Sequence, residues 1–184
     1  MDARRPAQAG DDELLRRMRR VYTVERYRDI IGRARATVPD MALTTDIIVG
    51  FSGETETEFL GTERLMREVR FDTVHLAAYS VRPGTAAARR PDDVPLEEKK
   101  RRLNHLLALQ REIAAERNAA WVGRQVEVLV EGIAQDGRAY GRTRQGKIAY
   151  LAAGLAAAGE LHRATVRAAT AWQLDAVAAP APAA

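Results

Sequence analysis

The sequence predicts an α/β region followed by a small all-β module, on three observations. From Pro6 to about residue 120, helical periodicities alternate with strand-like runs, which implies a parallel sheet. From Val122-Gly123 the texture changes to short alternating segments, parted by turns such as Asp136-Gly137 and Gln145-Gly146. That is the pattern of a small barrel or sandwich. The chain has no cysteine, so neither part can rest on disulfides or thiolate metal sites.

Pro6-Ala7-Gln8-Ala9-Gly10 reads as a turn. Asp11 or Asp12 can cap a short helix over 13–20. Thr23 caps a longer helix with Glu25 in its first turn, and Tyr27, Ile30, Ile31 and Ala34 fall at helical spacing before Pro39-Asp40 ends it. Residues 42–50 are rich in β-branched residues and have a nearly continuous apolar end, which suits a buried parallel strand. Phe51-Ser52-Gly53 is a turn. Residues 54–70 start acidic and carry Phe59, Leu60, Leu65, Met66 and Val69, a helix pattern. A second strand follows over 71–80, then a loop over 81–85. Pro95 opens the longest helix, to about Trp121, with Leu96, Leu103, Leu106, Leu107, Gln110, Ile113 and Ala114 on one face. The basic run 99–102 is expected on its solvated side.

A domain boundary is expected near residue 121, dividing 1–121 from a module over 122–176. Strands are expected at 125–131, 138–143, 147–151 and 160–168, and an Ala/Pro-rich disordered tail over 177–184. Two parallel strands alone cannot pair both their edges, so the first region reads as a piece of a larger β/α domain. Its remainder is expected on another chain, or in a longer gene product.

Composition narrows the partners. At 46% hydrophobic and 29% charged, the chain should fold. No apolar run approaches the roughly 20 residues of a membrane helix, and a cytoplasmic location is the expectation. The net charge is +4, and all but three of the 29 basic residues are Arg. Arginine suits phosphate, although a GC-rich coding sequence gives the same bias. His75, His105 and His162 form no metal or triad pattern, and Trp121 and Trp172 are expected to pack.

The stretch from Thr44 to Thr55 carries the most chemistry: a buried strand delivers Asp46 near its C-terminal end, and a glycine turn leads to Glu54. Strand C-termini face the ligand in β/α folds, and glycines let backbone approach a cofactor. An ordinary strand-to-helix turn would look similar. In the second module Arg142, Arg144 and Lys147 cluster on one hairpin beside Tyr140 and Tyr150. The cations could hold phosphates; the tyrosines could stack on bases or pack in the core.

Residues 44–55 resemble the TDIIVGFPGET segment of the radical-SAM methylthiotransferases, with Ser52 in place of the usual proline. Met18 to Thr23 is similar to their M-x-R-x-Y-T element, and Tyr79 to Thr85 to their Y-S-x-R-P-G-T loop. Pro6, Gln8 and Gly10 resemble a P-x-Q-S-G element. Gly141-Arg142-Thr143-Arg144 with Lys147 resembles the G-R-T-R-x-x-K element of the TRAM domain. The resemblance implies the C-terminal part of a radical-SAM β/α (TIM-like) barrel followed by a TRAM (OB-like) β-barrel. Among the branches it is nearest to the tRNA 2-methylthioadenosine synthases.

By implication, the intact enzyme adds a methylthio group to C2 of N6-isopentenyladenosine beside the tRNA anticodon, using S-adenosylmethionine and two [4Fe-4S] clusters. One cluster cleaves S-adenosylmethionine to a 5′-deoxyadenosyl radical; the other serves sulfur delivery. Gln8 and Asp46 would contact the cofactor ribose, Gly50, Gly53 and Glu54 would form the turn near its adenine, and Arg82 could reach its carboxylate or the substrate. Arg142, Arg144 and Lys147 would contact tRNA. The clusters' cysteines are absent from this chain, which would then be inactive by itself. Implied partners are tRNA, the rest of the enzyme and a sulfur donor. Two alternatives stay open: a stand-alone RNA-binding protein, and the branch acting on threonylcarbamoyladenosine.

Overall fold

The computed structural model describes residues 2–4 and 6–179. The chain divides into two compact units, Ala3–Arg111 and a second that takes in Glu112 onward.

In the first unit the order is β1 (Asp2–Arg4), α1 (Asp12–Arg17), α2 (Val24–Thr37), β2 (Ala42–Val49), α3 (Glu56–Val69), β3 (Thr73–Ala78), a 3-10 turn (Ala87–Arg89) and the start of α4 (Leu96–Ala119). The sheet order is β1-β2-β3. β2 and β3 are parallel, in register from Thr44 opposite Thr73 to Val49 opposite Ala78. The sequence predicts two strands here; β1 adds a third, and Gln8 bridges Ile47 beyond it.

Local chemistry explains the elements. Asp11, not Asp12, caps α1, accepting the Leu14 N–H at 3.0 Å. The Asp12 carboxylate instead accepts the Val24 N–H at the start of α2. Thr23 caps α2 as expected. α3 opens on a reciprocal capping box between Thr55 and Glu58. The core of this unit holds Leu14, Leu15, Leu43, Ile47, Phe59, Leu65, Met66 and Phe71, each at most 1% exposed. Each such side chain contributes roughly 1.5–3 kcal/mol by leaving water. A Cβ on Gly10 would lie 2.4 Å from the Gly61 carbonyl oxygen, so only glycine admits this approach to α3.

The second unit contains a closed barrel, in order β4-β5-β6-β8-β7, formed by β4 (Gln125–Ile133), β5 (Ala139–Thr143), β6 (Ile148–Leu151), β7 (Leu161–Ala169) and β8 (Leu174–Ala178). Val126, Val128, Val130, Leu151, Val166 and Leu174 fill it with small alanines and Trp121. A Cβ on Gly141 would meet the Leu129 carbonyl oxygen at 2.0 Å. The four strands expected from the sequence are present, each shifted by up to two residues at an end. β8 corrects the reading of a tail from Val177: Val177 pairs with Thr165, and Ala178 with Ala164. Its Ala-rich pattern shows little by itself; long-range pairing with β6 and β7 makes it a strand. The rest of that tail, 180–184, lies outside the described residues.

α4 is rotated from the sequence reading. Leu96 and Leu107 are exposed, whereas Lys99, Arg102, Leu106, Leu109 and Ile113 are buried. The basic run is thus only half solvated. Lys99 and Arg102 can lie on the buried stripe because each meets an acidic partner there.

Candidate functional site

A cleft of about 430 Å³ opens where β2 and β3 end. Its apolar wall is Met18, Ile48, Phe51, Ala77 and Ala78; Gln8, Arg20, Tyr79, Ser80 and Arg82 supply polar groups. Mixed lining of this size suits a small ligand with an apolar body and an anionic end.

Two of the six expected cofactor residues line this cleft. Gln8 is held in the left-handed region at φ 62, by its N–H to the Asp46 carbonyl oxygen (2.8 Å) and by the Ile48 N–H to its own carbonyl oxygen (3.0 Å). Its side-chain oxygen accepts from Arg20 at 2.8 Å. Arg82 lies exposed on the loop after β3. The other four are placed differently. Asp46 is half-buried on β2, opposite His75, and is not in the lining. Gly50, Gly53 and Glu54 form the turn around the lining residue Phe51. Both glycines have φ +70.

That turn is braced by residues the sequence reading assigned to solvent. The Glu54 side chain is fully buried; its carboxylate accepts from the Gly50 N–H and from Arg102 at 2.8 Å. Arg102 also donates to the Glu54 carbonyl oxygen at 2.9 Å. Burial pushes the Glu54 carboxyl up from its ordinary value, while the Gly50 N–H and Arg102 pull it back. Lys99 packs its stem where a Gly50 side chain would be, and donates to the Tyr79 carbonyl oxygen at 3.2 Å and to Asp92. Asp93 accepts the Gly53 N–H at 2.7 Å. Segment 92–102 therefore ties together the two strand ends that flank the cleft. The missed signal was spacing: 99, 102, 106, 109 and 113 form one helical stripe, but two of its members are charged. Nearby, Arg17 holds the Glu58 carboxyl below its usual value through a paired contact at 2.7 Å.

On the barrel, Arg142 and Arg144 are exposed on one hairpin, paired with Glu131 and Glu127 respectively. Lys147 donates to Asn118 at 2.8 Å and so is tethered to the end of α4. Tyr140 and Tyr150 are half-buried, flanked in each strand by buried residues of opposite orientation, so they sit on the outer wall and not in the core. Their rings lie 6.2 Å apart, and Arg138 stacks over Tyr150 at 4.5 Å. Trp121 packs as expected; Trp172, expected to pack, is 66% exposed.

Among the described residues no three His, Asp or Glu side chains gather as a metal site, and none of the helices is long and apolar enough to cross a membrane.

The model of the radical SAM superfamily matches residues 6–66. The chain is 48% identical over 182 residues to the tRNA-2-methylthio-N(6)-dimethylallyladenosine synthase of Roseiflexus sp. (strain RS-1), covering 97% of this chain and 38% of that protein. It is 46% identical over 172 residues to the synthase of that name from Dehalococcoides mccartyi, covering 93% of this chain and 41% of the relative. For the Chloroflexus aurantiacus protein the identity is 46% over 176 residues, covering 94% and 38%. The chain thus spans about two fifths of the length of these curated relatives.

Proposed function

We propose, from the chain's homology to the radical-SAM tRNA methylthiotransferases, that it is a working part of an enzyme adding a methylthio group to C2 of N6-isopentenyladenosine beside the tRNA anticodon. The observation that carries this reading is identity of 42–48% running through both units, from the cleft to the barrel.

Two cofactors belong to the reaction. S-adenosylmethionine, when bound, supplies the radical that an unreactive aromatic C–H demands. The cleft fits it in volume and in donor set: apolar walls for a nucleoside, the Gln8 amide for a hydroxyl, and Arg82 for a carboxylate. Gly50 and Gly53 keep the neighbouring turn open, and Glu54, Lys99 and Arg102 fix it. Asp46 would act from β2. The [4Fe-4S] clusters do not fit this chain: it offers no thiolate, so their ligands lie elsewhere in the assembled enzyme. The barrel is a TRAM-type RNA-binding module, with Arg142, Arg144 and Lys147 toward phosphate and Tyr140 and Tyr150 toward bases.

Nucleoside mass spectrometry of tRNA from cells lacking the gene tests the reading. The expected result is loss of 2-methylthio-N6-isopentenyladenosine and accumulation of N6-isopentenyladenosine. An unchanged nucleoside profile overturns it. Loss of the methylthio derivative of threonylcarbamoyladenosine instead would reassign the substrate. A second reading, RNA binding without catalysis, is favoured by the absence of cysteine beside a complete barrel.

A further inference from the structure

We propose that the mouth of the cleft is itself a docking surface for RNA phosphates, formed by Arg19, Arg20, Arg82, Arg89 and Arg90. This rests on the reading of the chain as part of a tRNA-modifying enzyme, and goes beyond it by placing a phosphate grip on the first unit as well as on the barrel. Arg20 and Arg82 line the cleft. Arg19 precedes Arg20, and Arg89 and Arg90 follow within three residues of the lining residue Ala87. All five are exposed.

Their charge is uncompensated. Arg20 donates to the neutral Gln8 amide, and none of the five has an acidic partner among the described residues. Among the described residues no carboxylate lines the cleft. The nearby acids are engaged elsewhere: Asp92 with Lys99, Asp93 with the Gly53 N–H, and Glu54 with Arg102. The barrel arginines differ, since Arg142, Arg144 and Arg163 all face glutamates. An unpaired guanidinium can bind phosphate without first giving up an ion pair, and releases counterions when it does. Arg19 has φ 57 because it terminates α1: its N–H donates to the Arg16 carbonyl oxygen and the Arg20 N–H to that of Leu15, which fixes where the two arginines leave the helix. Five forks on three separate segments match a run of phosphates along a strand better than one compact anion.

The test uses the full 184-residue chain and the triple variant Arg19→Gln, Arg89→Gln, Arg90→Gln, which leaves the cleft-lining Arg20 and Arg82 intact. Binding of an anticodon stem-loop RNA is titrated across salt concentrations, beside the barrel variant Arg142→Gln, Arg144→Gln and a poly-glutamate competitor. The rim variant should melt where the parent does and bind RNA at least ~10-fold more weakly. The slope of log affinity against log salt should shrink by about 2–3, at roughly 0.7–0.9 per phosphate contact. Unchanged affinity and slope in the rim variant, with loss confined to the barrel variant, overturns the inference and leaves the RNA reading standing. Poly-glutamate competing as well as RNA overturns RNA as the occupant. A parent chain that binds no RNA overturns both.

Discussion

Replacing Arg102 with Met removes the one cation among the described residues that touches the Glu54 carboxylate, in a pair whose side chains are 6% and 0% exposed. One carboxylate oxygen, Oε1, already lacks a hydrogen bond, so the variant leaves the group with the Gly50 N–H as its remaining donor. Breaking one side of a buried pair costs about 3–5 kcal/mol, because the stranded charge stays desolvated. That is a large share of the roughly 5–15 kcal/mol that holds a domain folded. The sign with pH follows from Glu54. Its folded carboxyl is pushed above the ordinary value by burial, so the folded state binds the proton more tightly than the unfolded chain does. The group's contribution is therefore greatest in acid, and declines as pH rises from the ordinary carboxylate value through the raised one. Without Arg102 that upward push grows. Urea unfolding of Arg102→Met should show the full loss at pH 8 and a loss smaller by about 1 kcal/mol or more at pH 5. The double variant Glu54→Gln, Arg102→Met should recover much of the pH 8 loss, since no charge is stranded. A loss under about 1 kcal/mol, flat with pH, would refute the reasoning and class the pair with screened surface ion pairs.

Two further outcomes follow from local geometry. Thr55→Ala removes half of the capping box on α3 and should cost about 1 kcal/mol in urea unfolding, with Thr55→Ser recovering most of it. Gly141→Ala forces a methyl into the Leu129 carbonyl oxygen, and should destabilise the barrel by about 3 kcal/mol or more, seen as earlier loss of the buried Trp121 fluorescence.

The α/β order, the parallel pairing, the cap at Thr23 and four of five barrel strands were legible in the sequence, because each is signalled within a few residues by periodicity, a capping side chain or a turn; the α1 cap was legible only as Asp11 or Asp12. The motif around Thr44 to Thr55 pointed to the end of β2, where the cleft lies. What tertiary structure alone decided depends on partners far along the chain. Lys99 and Arg102 look like solvated charges until Asp92, Glu54 and the Tyr79 carbonyl oxygen meet them. β8 is a faint Ala-rich run until β6 and β7 flank it. Tyr140 and Tyr150 sit on the outer wall because strand alternation turns their buried neighbours Ala139, Gly141, Ala149 and Leu151 into the barrel. A charge's burial, and a weak strand's existence, are set by what long-range folding brings opposite it, and a local reading of the sequence does not contain that information.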